Sequence, residues 1–298
     1  MNHEPSWDLY RTFGAVMREG SLSGAARALG LTQPTAARHV EALERAVGAQ
    51  LFLRSQRGLS PTEAARSLQP YAETLASTSA ALLRAAASRG GAVAGTVRIS
   101  ASEVVGVEHL PPVLAALRRT HPGLQLELVL SNAVDDLLGR RADIAVRMVE
   151  PVQQALAVKR VGVVEVGLHA TRDYLARRGA PRSMAELAGH DLIGFDEATP
   201  AIRALAETFP TLRRDGFALR ADSHLAQLAA IRAGFGIGFC QVSIARRDPN
   251  LLRVLDETVR IDLGVWIAMH EDLRGTPACR ATFDALAAGL AGIARSGP

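Results

Sequence analysis

Residues 21–63 read SLSGAARALGLTQPTAARHVEALERAVGAQLFLRSQRGLSPTE, and their punctuation decides the fold of the N-terminal end. Ser23 can cap a short helix in which Ala26 and Leu29 face inward. Gly30 stops that helix, and Leu31 plugs the corner after it. Thr32 caps a second helix, with Pro34 in its first turn, where a missing N–H does no harm. Along this helix Ala36, Val40, Leu43 and Val47 form the apolar face, while Thr35, Arg38, His39 and Ala42 point the other way. Leu51-Phe52-Leu53-Arg54-Ser55 then reads as a strand, turns at Gln56-Arg57-Gly58 and returns through Leu59-Ser60. Short capped helix, tight Gly turn, second helix and Arg-bearing hairpin is an order that suits insertion of one helix into the major groove of DNA.

In such an arrangement the N-terminal residues of the second helix reach base edges. Gln33 and Thr35 can do so by hydrogen bonds, Arg38 suits guanine or a phosphate, and Pro34 with the Thr35 methyl can pack on a thymine methyl. His39 is read as facing DNA or solvent rather than a metal. Arg54 and Ser55 suit phosphate, and Arg57 at the hairpin tip suits the minor groove. The local alternative is a small helical subdomain with a solvated polar face, on which Arg54 and Arg57 are ordinary surface arginines.

Upstream, a helix from about Trp7 to Arg18 carries Leu9, Phe13 and Val16 or Met17 on one stripe, and Gly20 ends it. Downstream of Pro61 one long helix runs from about Thr62 to Ala87. Leu68, Tyr71, Leu75, Thr78, Leu82 and Ala85 recur along it with the three-then-four spacing of a coiled-coil seam. About 25 residues at 1.5 Å each make it about 37 Å long. Such a helix cannot bury its seam alone, so a partner chain is implied. A palindromic operator asks for the same thing, since its half-sites lie one or more turns, about 34 Å each, apart.

Composition narrows the class. The chain has 298 residues, enough for two or three compact units, and 48% of them are hydrophobic. Its net charge is +4, with Lys159 the only lysine; the first ninety residues hold ten arginines against seven acidic residues. The basic excess therefore sits in the segment with the DNA-binding pattern, which permits nucleic-acid binding without proving it. Two cysteines, Cys240 and Cys279, make no disulfide framework and fit a reducing cytosol. The start, MNHEPSWDLYRTFG, lacks the form of a signal peptide, and no run of eighteen apolar residues offers a membrane span. A cytoplasmic protein without membrane contact is the expectation.

Ser88-Arg89-Gly90-Gly91 reads as a hinge, and beyond it short strands alternate with helices, an α/β signature. Strands are predicted at Thr96–Ser100, Leu124–Leu130, Asp143–Arg147, Val163–His169 and Leu263–Met269. Helices are predicted at Leu110–Arg119, Arg172–Arg178, Ser223–Ala233 and Pro277–Ile293. Gly234, Gly236 and Gly238 have GxGxG spacing rather than the GxGxxG of a dinucleotide loop. No P-loop, HExxH, GxSxG or paired-Cys zinc pattern occurs, and the eight histidines are scattered, so neither cofactor nor metal is expected. A thiol redox sensor is not favoured, because 193–208 holds no Cys and Cys240 flanks a buried-looking strand.

The chain resembles the LysR-type transcriptional regulators. The matching residues are Ala25-Ala26-Arg27-Ala28-Leu29, Leu31-Thr32-Gln33-Pro34, Arg38, Leu43-Glu44, Gly48, Leu51-Phe52, Arg54 and Leu59-Ser60-Pro61-Thr62-Glu63. The resemblance continues through Val97-Arg98-Ile99-Ser100, Leu110-Pro111-Pro112, His121-Pro122, 141–147, Asp191-Leu192-Ile193 and 233–237. One departure touches DNA reading: where family members commonly carry Ser before the recognition-helix arginine, this chain has Ala37. The resemblance implies a winged helix-turn-helix over 1–61, a dimerising coiled-coil linker helix and hinge over 62–90, and an effector-binding α/β region over 91–298. That region would have two Rossmann-like, periplasmic-binding-protein-like lobes, one of about 92–163 plus 268–298 and one of about 164–267. It further implies a homodimer, or two dimers paired as a tetramer, that binds double-stranded DNA and responds to a small-molecule effector.

Ligands of open α/β lobes bind beyond the carboxyl ends of strands. Ser100, Ser102, Asn132 and Arg147 from one lobe, and Ser223 and Gln241 from the other, are therefore the candidate effector contacts. Arg147 could hold a carboxylate bidentately. Each has a local alternative: Ser102 or Ser223 as a helix cap, Asn132 as a turn residue, Arg147 in a surface ion pair. Two other functions stay open at this point. One is a small-molecule binding protein whose helical N-terminus only dimerises. The other is an enzyme, for which nothing speaks beyond the α/β cleft.

Overall fold

The computed structural model describes residues 4–55, 58–87, 93–132, 142–151 and 156–294, and the chain divides into two compact units, the first of 1–90 with 135–143 and the second of 91–134 with 144–298.

In the first unit α1 (Trp7–Glu19), α2 (Leu22–Leu29) and α3 (Gln33–Val47) are each closed by a glycine in the left-handed region, Gly20, Gly30 and Gly48. Ser21, not Ser23, caps α2: the chain is extended at Ser21, whose Oγ accepts from Gly24 N at 3.1 Å. The helix thus starts as soon as Gly20 has turned the chain out of α1, and Ser23 is left exposed. Thr32 caps α3 as expected, with Pro34 in its first turn. Phe13, Ala25, Val40, Leu43 and Leu51 form one buried cluster. Val47 does not join it; at 39% exposure the last turn of α3 runs past the residues that cover the earlier ones.

β1 (Phe52–Ser55) and β2 (Gly58–Pro61) pair antiparallel with Ser55 opposite Gly58. Glu44 anchors the hairpin to α3, its Oε1 accepting from Leu51 N at 2.7 Å and Phe52 N at 3.2 Å. Thr62 closes the base by donating to Gln50 O at 2.8 Å, and its Oγ1 accepts from Ala65 N at the start of α4 (Glu63–Ala87). Among the described residues of α4, the first turns contribute to the core through Ala65, Ala72 and the half-buried Ala64 and Leu68. Of the remaining seam residues Tyr71, Leu75 and Leu82 are exposed and Thr78 is half-buried. The hinge at 88–91 and the Ala85 side chain lie outside the described residues.

The second unit is built on one mixed sheet of seven strands in the order β10-β6-β11-β5-β3-β4, with β9 also paired to β6. These are β3 (Gly95–Ala101), β4 (Leu124–Leu130), β5 (Ile144–Arg147), β6 (Leu156–Thr171), β9 (Gly238–Gln241), β10 (Leu251–Val254) and β11 (Ile261–His270). β6 is 16 residues long, more than twice the predicted Val163–His169, because it serves both lobes. Its first half pairs with β11 beside β5, and its second half pairs with β9 and β10. The register of β6 and β11 breaks between Val265 and Trp266, opposite Gly162, whose φ is 155°. An extra residue on one strand bends and twists the pair locally.

The first lobe packs α6 (Leu110–Thr120) and α11 (Pro277–Ala294) against β3, β5 and β11 through Ile99, Leu110, Leu117, Ile144, Ile267 and Phe283. A short helix absent from the sequence-based expectation, α5 (Glu103–Glu108), precedes α6. The second lobe holds α7 (Arg172–Arg178), β7 (Leu192–Gly194), α8 (Pro200–Thr208), β8 (Phe217–Arg220), α9 (His224–Arg232) and α10 (Val242–Ala245), with one core cluster at Leu168, Tyr174, Leu192, Phe217 and Ile237 and a second, which α9 and α10 join, at Ile193, Leu228, Ile231 and Ile244. The glycine run explains itself here. Gly234 takes a φ of 74° after α9, and a Cβ on Gly236 would meet Asp191 O at 1.9 Å. The motif lets two backbones touch, as Ile237 N does in donating to Asp191 O at 2.9 Å.

Candidate functional sites

The exposed edge of α3 is the first site. Gln33, Pro34 and Arg38 are exposed and Thr35 is half-buried, so none of the four is used by the core. Thr32, Thr35 and Arg38 follow at i, i+3 and i+6 and are linked in a row. The two hydroxyls lie 2.9 Å apart, and Arg38 Nη2 donates to Thr35 Oγ1 at 3.4 Å. Ala37 is half-buried and adds no hydroxyl to that row. His39 differs from its neighbours: its Nδ1 shares a 2.8 Å hydrogen bond with Thr12 Oγ1 of α1. One ring nitrogen thus ties α3 to α1, and only the other can face outward. Arg54 and Ser55 lie on β1, paired with Leu59 and Gly58, while Arg57 lies outside the described residues.

The second site is a cavity of about 590 Å³ between the lobes of the second unit. The carboxyl ends of β3, β4, β5 and β9 bring Ser102, Asn132, Arg147 and Gln241 to its wall. These four expected residues converge; Ser100 and Ser223 stand behind the wall. Ser100 is 1% exposed, and its Oγ accepts from Arg147 Nη2 at 2.8 Å. Arg147 Nη1 also donates to Ser100 O at 3.1 Å and Val146 O at 3.0 Å, which fixes the guanidinium in place. A freely swinging bidentate arginine is therefore not what the fold provides. Ser223 caps α9 by accepting from Ala226 N, and it donates to Glu103 Oε2 at 3.1 Å. Gln241 Oε1 lies 2.8 Å from Nε2 of the buried His109, whose protonation burial disfavours. Cys240 also lines the cavity, with its thiol pushed up to about 12 by burial, so it rests as a neutral thiol.

Sequence reasoning missed the residues that hold the lobes together. Glu103 of α5 accepts from Ser223 Oγ and from His224 N at 3.0 Å, and so caps a helix of the opposite lobe. Asn132 Oδ1 accepts from Glu103 N, while Nδ2 lies 3.3 Å from His224 Nδ1. At the other end of α5, Glu108 meets Arg232 at 2.6 and 3.1 Å and Arg247 at 3.3 Å. The Arg232 hydrogen bond holds the Glu108 carboxyl below its ordinary 4.5. Its contribution is therefore present above 4.5 and is lost as pH falls through the lower folded-state value. The Arg232 side chain is 38% exposed, so solvent screening limits the bridge to roughly 1 kcal/mol. Glu108→Gln is expected to speed amide exchange along α9 without lowering the exchange protection of β3. Unchanged exchange in α9 would remove Glu108 from the clasp.

With this geometry in view, comparison with known proteins gives a consistent result. The family model described as "Bacterial regulatory helix-turn-helix protein, lysR family" matches residues 7–66, and the one described as "LysR substrate binding domain" matches 90–291. The HTH-type transcriptional regulator CrgA of Neisseria meningitidis serogroup C is 30% identical over 185 residues, 62% of each chain. The chain spans 52% and 62% of the length of the first two curated relatives it matches. Among solved structures, CrgA from Neisseria meningitidis has a TM-score of 0.59 at 24% identity, covering 97% of this chain and 100% of that one. Full-length CbnR, solved with its target DNA, has a TM-score of 0.62 at 21% identity, covering 94% and 97%.

Proposed function

This chain belongs to the LysR family of bacterial regulatory proteins, and from that membership we propose that it is a transcription regulator working on double-stranded DNA in the cytoplasm. The domain division we propose is a DNA-binding domain over 1–61, a linker over 62–90 and an effector-binding domain over 91–298. The observation that carries the reading is the row of exposed Gln33, Pro34 and Arg38 with half-buried Thr35, none of them used by the core, on the second helix of a helix-turn-helix capped at both helices. The fold-neighbour CbnR was solved with its target DNA, which supports the same reading. The interlobe cavity is read as a sensor rather than an active site. A small molecule that binds one lobe arrangement better than another shifts the equilibrium between them, and with it the placement of the DNA-binding heads. Those heads come from at least two copies of the chain, joined along the exposed Tyr71, Leu75 and Leu82 of α4.

Footprinting on the DNA upstream of the protein's own gene tests this. The absence of any protected site, at every salt and ligand condition, would sink the proposal. Two variants separate reading from anchoring. Thr35→Ala is expected to relax sequence preference at one position, with a loss of about 1–3 kcal/mol on the preferred sequence. Arg54→Ala is expected to weaken all sequences alike and to reduce the dependence of log affinity on log salt by about one unit. Competition titrations against preferred and scrambled duplexes at two salt concentrations distinguish them; equal behaviour of the two variants contradicts the division.

A further inference from the structure

We infer that Thr12, a buried residue of α1, positions a DNA contact on α3: it holds the His39 ring with Nε2–H outward, as the donor to a phosphate oxygen on the wall of the major groove. The inference rests on the DNA-binding role proposed above. It adds a positioning residue outside the recognition helix and the chemical group that residue serves.

A threonine inside a helix has a ready use for its hydroxyl, the carbonyl one turn back. Thr74 donates to Pro70 O at 2.9 Å, Thr208 to Ala204 O at 3.0 Å and Thr282 to Ala278 O at 2.8 Å. Thr12 is built otherwise. It is 1% exposed, and its Oγ1 lies 2.8 Å from His39 Nδ1, its one partner among the described residues. A buried O–H has to donate, and the acceptor on offer is Nδ1. Nδ1 then carries no proton, and in the neutral ring the proton sits on Nε2. Nε2 has no partner among the described residues and is not buried, so it meets solvent. The ring is a donor held from behind and open in front.

Its place on the helix says what it donates to. At about 100° per residue round α3, His39 stands on the α1 side of Thr35 and Arg38 on the other. A helix about 10–12 Å across nearly fills a major groove about 12 Å wide. Its leading residues therefore meet base edges, and its flanks meet the two sugar–phosphate walls. A ring tied to α1 by one nitrogen cannot reach down to the bases as a free side chain does, so it meets the wall. A neutral N–H donates to phosphate without adding charge; the contact orients the head and releases no counterion. Without the Thr12 hydroxyl the ring takes both tautomers, and one of them turns a bare nitrogen lone pair toward the phosphate.

The test uses the full chain and two duplexes of equal length and composition, one carrying the footprinted site and one scrambled, at two salt concentrations. Thr12→Val keeps the shape of the buried side chain without its hydroxyl. It is expected to weaken binding roughly threefold to tenfold on both duplexes, with the dependence of log affinity on log salt unchanged. Thr12→Ser keeps the hydroxyl and is expected to bind as the wild type does. His39→Phe keeps a ring and removes both nitrogens. It is expected to lose as much, and in that background Thr12→Val is expected to cost nothing further. A Thr12 that merely packs would cost the same factor in both backgrounds. Wild-type affinity in Thr12→Val overturns the inference. So does a loss confined to the footprinted sequence, additivity of the two variants, or a salt slope smaller by about one unit. If Thr12→Val does not fold, His39→Phe decides alone, because that half-buried ring lies at the surface of the unit: an equal loss on both duplexes supports the inference, and wild-type affinity overturns it. A wild-type chain that binds neither duplex rejects the DNA role and this inference with it, whereas binding that is indifferent to Thr12 and His39 rejects this inference alone.

Discussion

Phe13→Ala is expected to lower the stability of the N-terminal unit by about 3–5 kcal/mol and to abolish DNA binding with it. Phe13 is 1% exposed and sits where α1, α3 and the hairpin meet. Its ring lies 5.8 Å from that of Phe52 at an interplanar angle of 49°, so it joins the helices to the strand that carries Arg54. Small cores have little in reserve: at about 0.05–0.15 kcal/mol per residue, a unit of this size loses a large part of its stability with one buried ring. The second unit has its own clusters and is expected to keep its unfolding transition. Calorimetry on the full chain should show the transition of the first unit shifted down and that of the second in place. A single unshifted transition, with DNA affinity intact, would mean that Phe13 does not hold the DNA-binding face in shape.

How much of this was legible beforehand depends on range. The glycine stops of α1 to α3 and the Thr32 cap of α3 were readable because each is decided within about four residues, as Thr32 and Thr35 show. Ser21 was missed in favour of Ser23 only because both are capping residues, and the choice depends on where Gly20 releases the chain. Val47 keeps the right periodicity but lacks cover, which periodicity cannot report. β4 and α7 come out with the predicted bounds, since each is a single local pattern. β6 does not, because it changes neighbours midway and so carries no single pattern of burial along its length.

The lining of the interlobe cavity was half legible for the same reason. Residues at strand ends can be found by placing the strands, and Ser102, Asn132, Arg147 and Gln241 were found that way. The depth of Ser100 was not visible, because a buried hydroxyl and an exposed one read alike until the partner Arg147 is placed. The clasp residues were out of reach. α5 has six residues, and His109, with φ −119° and ψ −37°, separates it from α6 just before Pro111-Pro112, a pair that marks where α6 starts but not that a helix precedes it. Its partners Ser223, Arg232 and Arg247 lie more than a hundred residues away and are brought in only by the crossing of β6 and β11. α8 escaped because its apolar residues face a cavity rather than a core, so nothing around it marks it as structural.

Acidification is expected to destabilise the second unit through His169. This residue lies on β6, 1% exposed, between Gly238 of β9 and Arg253 of β10. Burial lowers its value from 6.5 to about 4, the nearby Arg253 pushes the same way, and the hydrogen bond to Gly167 O and Glu165 oppose them. The folded state thus holds the neutral ring, Nδ1 donating to Gly167 O, while the unfolded chain takes up a proton at its ordinary value. Because the folded value is the lower one, the stabilisation is fully present above 6.5 and is lost as pH falls toward 4. With 1.36 kcal/mol per tenfold change in proton affinity, the loss across that window is about 3 kcal/mol. Denaturant unfolding at a series of pH values measures the slope directly. His109, His190 and His224 are shifted in the same direction, so the contribution of His169 is the difference in slope between the wild type and His169→Gln. The variant is expected to be less stable near neutrality but flatter with pH between 6.5 and 4. Parallel curves over that window would show that the strand junction joining the two lobes does not depend on a neutral His169.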